Sequence, residues 1–327
     1  MRVARLAVAA IFLQALSLPA IGQVSPAAAG VAAHPDPLAA LDDENPAYAA
    51  NKRLVFDMWR SIVNAGHVEL ADAMLQEGYI QHSPVLPTGR AAFKAIFSTV
   101  QRGDIPELVS PPLVAIVAEG DLVVMALREE LPEPVGGGRY SSAHFNLFRI
   151  ADGRLAEHWH SVQQAPGPNV AAPADGGPQP VTGAEGAAQL ALLEAADPAL
   201  AANKRLVFDA WRNLNDAGRA DLIGRFIAPD HLDRDPNGGS GPDSFAGSIA
   251  ARTGRPVSEF IRAPLVAVVA QGDLVVVVTG REHPHPIRAG GTYTTTWFDM
   301  FRIADGRIAE HWNAATKPGG AVPEYGD

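Results

Sequence analysis

Five side chains carry most of the proton-transfer chemistry this sequence offers: His82, His158 and His160 in its first half, Asp299 and His311 in its second. An imidazole with an unperturbed pKa of about 6.5 can remove and return a proton close to neutral pH. His158 and His82 are therefore expected as an acid/base pair with His160 beside them; their plainer role is to complete hydrogen bonds in a pocket or at its rim. Asp299 and His311 form the best carboxylate–imidazole pair in the chain, since a carboxylate opposite the ring raises its basicity and fixes its tautomer. The same contact can also simply satisfy two buried polar groups. Tyr79, Trp59, His144 and Asn146 are expected to contact a ligand, although helical aromatic residues more often belong to a core. His82, His144, His158 and His160 also raise the chemistry of a zinc centre. No HExxH or comparable spacing supports one, so no metal is assigned.

The bulk properties remove other chemistries. With no cysteine there is no disulfide, thiolate nucleophile or zinc–cysteine site. The 26 Lys and Arg against 36 Asp and Glu leave a formal charge of -10, without the basic stripe that would neutralise a phosphate backbone, so nucleic acid is not an expected partner. The glycines of "NGGSGPDSFAG", starting at Asn237, lack the strand-to-helix setting of a phosphate cradle and read as a loop.

The candidate residues sit on a segment that occurs twice, "FRIADGRLAEHWH" from Phe148 and "FRIADGRIAEHWN" from Phe301. Ala-Asp-Gly suits a three-residue hairpin loop that pairs Ile150 with Arg154. That register sets Asn146 opposite His158 and His144 opposite His160. Side chains alternate along a strand, so one face collects His144, Asn146, His158 and His160, and the other Phe145, Leu147 and Trp159. A two-residue Asp-Gly turn would shift the pairing by one and mix the two sets, which makes the first register the preferred one. The second copy then presents Trp297, Asp299, His311 and Asn313. Trp159 and Trp312 are expected to cover an interface between the copies, with Glu157 and Glu310 salt-bridged or solvated on the same face.

The repetition extends over whole domains. "NKRLVFDMWR" from Asn51 returns as "NKRLVFDAWR" from Asn203, and "LVAIVAEGDLVV" from Leu113 as "LVAVVAQGDLVV" from Leu265, both at an offset of 152. Domains are expected over 38–165 and 190–318, with a Pro/Gly/Ala-rich linker at 166–189 and a tail at 319–327. Residues 1–22 read as a cleaved export signal, with Arg2 and Arg5 before an apolar run too short to span a bilayer, and 23–37 as a flexible lead. The expected protein is secreted or periplasmic. Within a copy, apolar residues at helical spacing predict helices over 46–65 and 89–103, with a short one over 68–75. Apolar runs at 113–117, 122–127, 144–150 and 155–162 then predict an antiparallel meander, hence an α+β fold.

The motifs "YIQHSP" at Tyr79, "GRAAF" at Gly89, "AEGDLVV" at Ala118 and "NLFRIADGRLAEHWHSVQQ" at Asn146, in this order, resemble the SnoaL-like (polyketide cyclase-like) family of the nuclear transport factor 2-like superfamily. The resemblance implies two tandem cone-shaped domains, each with N-terminal helices packed on a strongly curved antiparallel sheet around an apolar pocket. It also implies cofactor-independent acid/base catalysis and pairing of the copies as an intrachain pseudo-dimer, with further homo-oligomerisation left open. Relatives tend to read D-I-F-R and E-H-W-D where the first copy has Asn146 and His160; the second keeps Asp299 but has Asn313, and Arg234 replaces the histidine of "YIQH". Two functions stand open: a lyase, isomerase or cyclase acting on a small apolar carbonyl compound through His158 and His82, or a non-catalytic module that binds a hydrophobic ligand or completes an assembly.

Overall fold

The computed structural model describes residues 29–162 and 179–319. The expected export signal and the middle of the linker lie outside the described residues. Each repeat begins with a capped helix: the side chains of Asn45 and Asp197 accept from the backbone N–H of Ala47 and Ala199, and the proline after each cap has no N–H to leave unpaired. Helices α1 (Pro46–Met58) and α4 (Pro198–Ala210) continue into π-helical turns, Trp59–Val63 and Trp211–Asn215. Gly66 ends the first of these runs at φ 71°, where a Cβ would lie 2.7 Å from Val100 O. Helices α2 (Ala71–Met74) and α3 (Arg90–Phe97) follow in the first domain, α5 (Ile223–Phe226) and α6 (Pro242–Ile249) in the second.

Strands β1 (Leu75–Gln81), β2 (Leu113–Glu119), β3 (Leu122–Pro132), β4 (Arg139–Ala151) and β5 (Arg154–His160) form the first sheet in the order β1-β5-β4-β3-β2. The second sheet repeats this with β6 (Ile227–Asp233), β7 (Leu265–Gln271), β8 (Leu274–Pro284), β9 (Thr292–Ala304) and β10 (Arg307–Asn313), in the order β6-β10-β9-β8-β7. The expected α+β class and the four-stranded meander are both present. A strand missing from the sequence reading joins each meander: β1 pairs parallel with β5, and β6 with β10, making each five-stranded sheet mixed.

The expected hairpin register needs correction. Asp152 and Gly153 both have positive φ, 51° and 68°, the signature of a two-residue type I′ turn, and Ala151 pairs with Arg154. A bulge at Ala156 then advances β5 by one residue, so Asn146 faces His160, Leu147 faces Trp159 and Phe148 faces His158. Two shifts of one residue restore the side-chain parity. His144, Asn146, His158 and His160 therefore share a face as expected, each two positions from its expected partner.

In each domain the helices cover that face, while the opposite faces of the two sheets pack together. Phe145, Leu147 and Trp159 meet Phe298, Met300 and Trp312 in one buried cluster, and the Phe145 and Phe298 rings stack at 5.6 Å. The two tryptophans thus occupy the interface expected for them. The lead is not free along its whole length: Val31 is 3% exposed within this cluster, and Val181 beyond the linker is 8% exposed. Ala29 N–H donates to Asp233 O at 2.9 Å, and Gln179 N–H to Gln81 O at 2.7 Å, so the segment before each domain reaches the end of the other domain's first strand.

Candidate active site

The β-strand parity gathers two related clusters on the helix-covered faces. In the first domain His158 lies between two amides, Nδ1 2.7 Å from Gln81 Oε1 and Nε2 2.9 Å from Asn146 Oδ1. A neutral ring has one N–H, so one amide accepts from it, and the other can turn its NH2 toward the remaining lone pair. Burial pushes the His158 pKa down to about 3, helped by His144 and His82. His160, 3.0 Å from Ser83 Oγ, and His144 are both lowered, again chiefly by burial. Three buried, neutral imidazoles therefore occupy this face.

In the second domain the same ring lies between two carboxylates. His311 Nδ1 is 3.1 Å from Asp233 Oδ1 and Nε2 is 2.9 Å from Asp299 Oδ1. Burial alone would lower its pKa, but the hydrogen bonds and charges of Asp233 and Asp299 outweigh it and raise it to about 10. Burial opposes ionisation of Asp233, yet His311 holds its carboxyl below the usual range. The triad is a fixed imidazolium between two anions. One oxygen remains outside it: Asp299 Oδ2 is buried without a hydrogen-bond partner among the described residues.

A narrow apolar cleft adjoins this triad, with a volume of about 10 Å³, room for about one water, between Val207, Trp211 and Leu214 of the helical layer and Phe301 and Ile308 of the sheet. Phe301 also stacks on His311 at 5.0 Å, so the ring forms a wall shared by cleft and triad. Phe245 lines the cleft and meets His231 edge-on at 6.1 Å. His231 is buried with neither ring nitrogen partnered among the described residues, and its pKa is lowered to about 4, by burial first and by His311 second.

The expected residues divide as follows. Asp299 and His311 come together, diagonally across the hairpin, since Asn313 is the direct partner of Asp299. His158, His160, His144 and Asn146 share one interior. His82 does not join them: it follows Gln81 on β1 and projects to the opposite face, where its ring stacks on Trp159 at 4.6 Å and lies 3.2 Å from Glu157 Oε2. The expected His158–His82 pair is therefore corrected, and the four-histidine set considered for zinc is divided by the sheet. Arg234 does the equivalent work in the second domain, paired with Glu310 over Trp312. Tyr79 is 1% exposed and packs edge-on against Phe93, which places it in the core. Trp59 joins the same core, with its Nε1–H donating to Ser110 O and its ring 6.4 Å from His144. The sequence reading missed Gln81 and Asp233. Their positions, 152 apart and one residue before His82 and Arg234, contained the signal, but β1 and β6 had not been recognised as strands.

Comparisons with known proteins agree with this duplicated architecture. Residues 53–166 match the family model described as SnoaL-like polyketide cyclase, and residues 205–311 match the one described as SnoaL-like domain. Among solved structures, TsrD from Streptomyces laurentii is 20% identical over 36% of this chain and 90% of its own, with a TM-score of 0.25. A protein from Jannaschia sp. CCS1, described as a SnoaL-like polyketide cyclase by assignment only, is 17% identical over 37% of this chain and 90% of its own, with a TM-score of 0.28. An LEH-like epoxide hydrolase from M. tuberculosis is 15% identical over 34% and 76%, with a TM-score of 0.25. No curated protein matches the chain.

Proposed function

Both domains of the chain belong to the SnoaL-like family of the nuclear transport factor 2-like superfamily, and on that premise we propose a small-molecule acid/base enzyme whose working site is in the second domain. The substrate class is a small apolar carbonyl compound, and the reaction an isomerisation, lyase step or ring closure that starts with proton removal beside the carbonyl. The observation that carries this reading is the division of labour within Asp299: Oδ1 is tied to the His311 imidazolium, and Oδ2 is buried and unpartnered. Oδ2 is the base. His311, anchored from behind by Asp233, orients Asp299 and is itself too basic to exchange protons rapidly at neutral pH. Moving a proton between a carboxylate and carbon needs no redox or group-carrying cofactor.

The first domain supports a different role. His158 between Gln81 and Asn146 accepts no proton at neutral pH and has no carboxylate to activate it. That domain acts as the non-catalytic half of an intrachain pseudo-dimer, holding the second sheet through the buried tryptophan interface. Export of the mature chain from about residue 23 is part of the same proposal and rests on the apolar leader. Among the described residues no helix is long and apolar enough to cross a membrane.

The test is hydrogen–deuterium exchange at the carbon next to the carbonyl of a simple ketone such as 2-tetralone, followed in D2O by NMR. The native chain should accelerate exchange, Asp299→Asn should remove the acceleration, and His158→Gln should retain it. Acceleration that survives Asp299→Asn, or disappears in His158→Gln, would place the chemistry elsewhere.

A further inference from the structure

One strand of the second domain carries a row of polar groups that the triad does not use. On β8, Val275 and Val277 belong to the helix-side core, so Thr279, Arg281 and His283 continue the same face at alternate positions. Thr279 Oγ1 and His283 Nε2 are both buried without a hydrogen-bond partner among the described residues. Arg281 between them makes no hydrogen bond or ion pair with any described residue; its guanidinium lies over the Trp297 ring, 3.9 Å from the centroid. Two other partly buried arginines of this domain, Arg302 on β9 and Arg234 just after β6, both have carboxylate partners. A guanidinium held flat against an indole keeps its N–H edge available, and a carboxylate fits that edge with two parallel hydrogen bonds. The corresponding residues of the first domain are Leu127, Glu129 and Leu131, which offer no such donors.

The neighbouring charges narrow the ligand further. Arg281 feels the attraction of Asp299 and the repulsion of Arg252. A monoanion on Arg281 balances the two guanidinium groups, whereas a second negative charge, as on a phosphate ester, would be repelled by Asp299. Asp299 Oδ2 is on the same helix-covered face, because Asp299 pairs with Val277 and Trp297 with Thr279. Arg281 and Asp299 therefore project from neighbouring strands to one side of the sheet.

We propose that the second domain takes a small apolar carboxylic acid, its carboxylate forked onto Arg281 beside Thr279 and its carbonyl-bearing carbon at Asp299. This inference rests on the functional reading above and names the class of its substrate. The probe is 2-oxo-4-phenylbutanoate against its methyl ester, titrated calorimetrically into the full chain, with C3 deuterium exchange followed on the same samples. The acid should bind at least about 10-fold more tightly than the ester, as expected for a charge-assisted contact. Arg281→Met should weaken the acid about 10- to 100-fold and leave the ester unchanged, and Arg281→Lys should fall between, keeping the charge but losing the fork. An unchanged melting temperature confirms that these variants fold. Equal binding of acid and ester, no binding of either at millimolar concentration, or undiminished acid binding in Arg281→Met overturns the subsite. Selective binding through Arg281 without C3 exchange leaves the subsite standing and overturns the catalytic reading; exchange with no preference for the acid does the reverse.

Discussion

Replacing Asp299 by asparagine should lower the His311 pKa by roughly 2 units while leaving His158 neutral. The magnitude follows from the geometry. His311 is raised from 6.5 to about 10 by two carboxylates at 3.1 and 2.9 Å, against a burial penalty of opposite sign. The two partners are nearly equivalent in distance, so each accounts for at least half of the net rise. Removing one brings the ring to about 8 or below, a change of ~3 kcal/mol that matches a charge-assisted hydrogen bond. Removing both, in the double variant Asp233→Asn/Asp299→Asn, gives His311 two amide neighbours like those of His158, and its pKa should then fall below ~6.5. Long-range 15N NMR on histidine-labelled protein reads the ring protonation directly, with His311→Gln to assign the signal. At pH 8 the native His311 should be an imidazolium and His158 neutral. A native His311 that titrates near 6.5, or one whose midpoint is unmoved in Asp299→Asn, would refute the triad.

The pH dependence of stability should differ between the domains on the alkaline side. His311, with a raised folded pKa, contributes fully below about 6.5 and loses its contribution as pH rises through about 10. His158, depressed to about 3, contributes fully above about 6.5 and loses its contribution as pH falls toward 3, with His144 and His160 shifted in the same direction. His231, lowered to about 4, and Asp233, held below the usual carboxylate range, give the second domain an acid-side loss as well. Each histidine shift is worth at most ~5 kcal/mol, so hydrogen exchange should show the second domain opening first as pH rises through about 10; the first domain opening first in alkali would contradict the His311 assignment. Gly238→Ala should disrupt the triad without replacing any of its members, because a Cβ at residue 238 would overlap Asp233 Oδ2. A lowered His311 pKa with little change in melting temperature is expected there, and an unshifted pKa would mean that Asp233 does not position the ring.

Residue parity decided what the sequence could reveal. The alternation of His144, Asn146, His158 and His160 with Phe145, Leu147 and Trp159 separates the two faces of the hairpin whatever the turn, provided the number of one-residue shifts is even. The type I′ turn and the bulge at Ala156 are two such shifts, which is why the faces were legible and the cross-strand partners were not. β1 and β6 were opaque because their burial does not alternate cleanly: Gln76, Glu77 and Gly78 are consecutive non-buried positions, and Pro229 and Asp230 interrupt the second copy. Without those strands, Gln81 and Asp233 had no assigned place, and His82 could not be moved to the back of the sheet. The lead misled for a compositional reason. A tract of Ala, Pro and Gly cannot build a core of its own, but a single valine within it can be buried in one formed by two sheets.

The paired sheets also account for the divergence of two otherwise similar sites. An unpaired buried charge is costly, so an interior of this kind is stable either with neutral rings and amides or with a ring compensated by carboxylates. Gln81, His158 and Asn146 are the first solution; Asp233, His311 and Asp299 are the second. An intermediate with one carboxylate still pairs one anion with a protonated ring, as expected for Asp299→Asn, so the two carboxylates can be gained or lost one at a time. Because the two sheets pack through their opposite, apolar faces, whose side chains alternate with those of these interiors, either solution supports the same interface. The first domain can therefore carry the uncharged solution without weakening the scaffold on which the charged one depends.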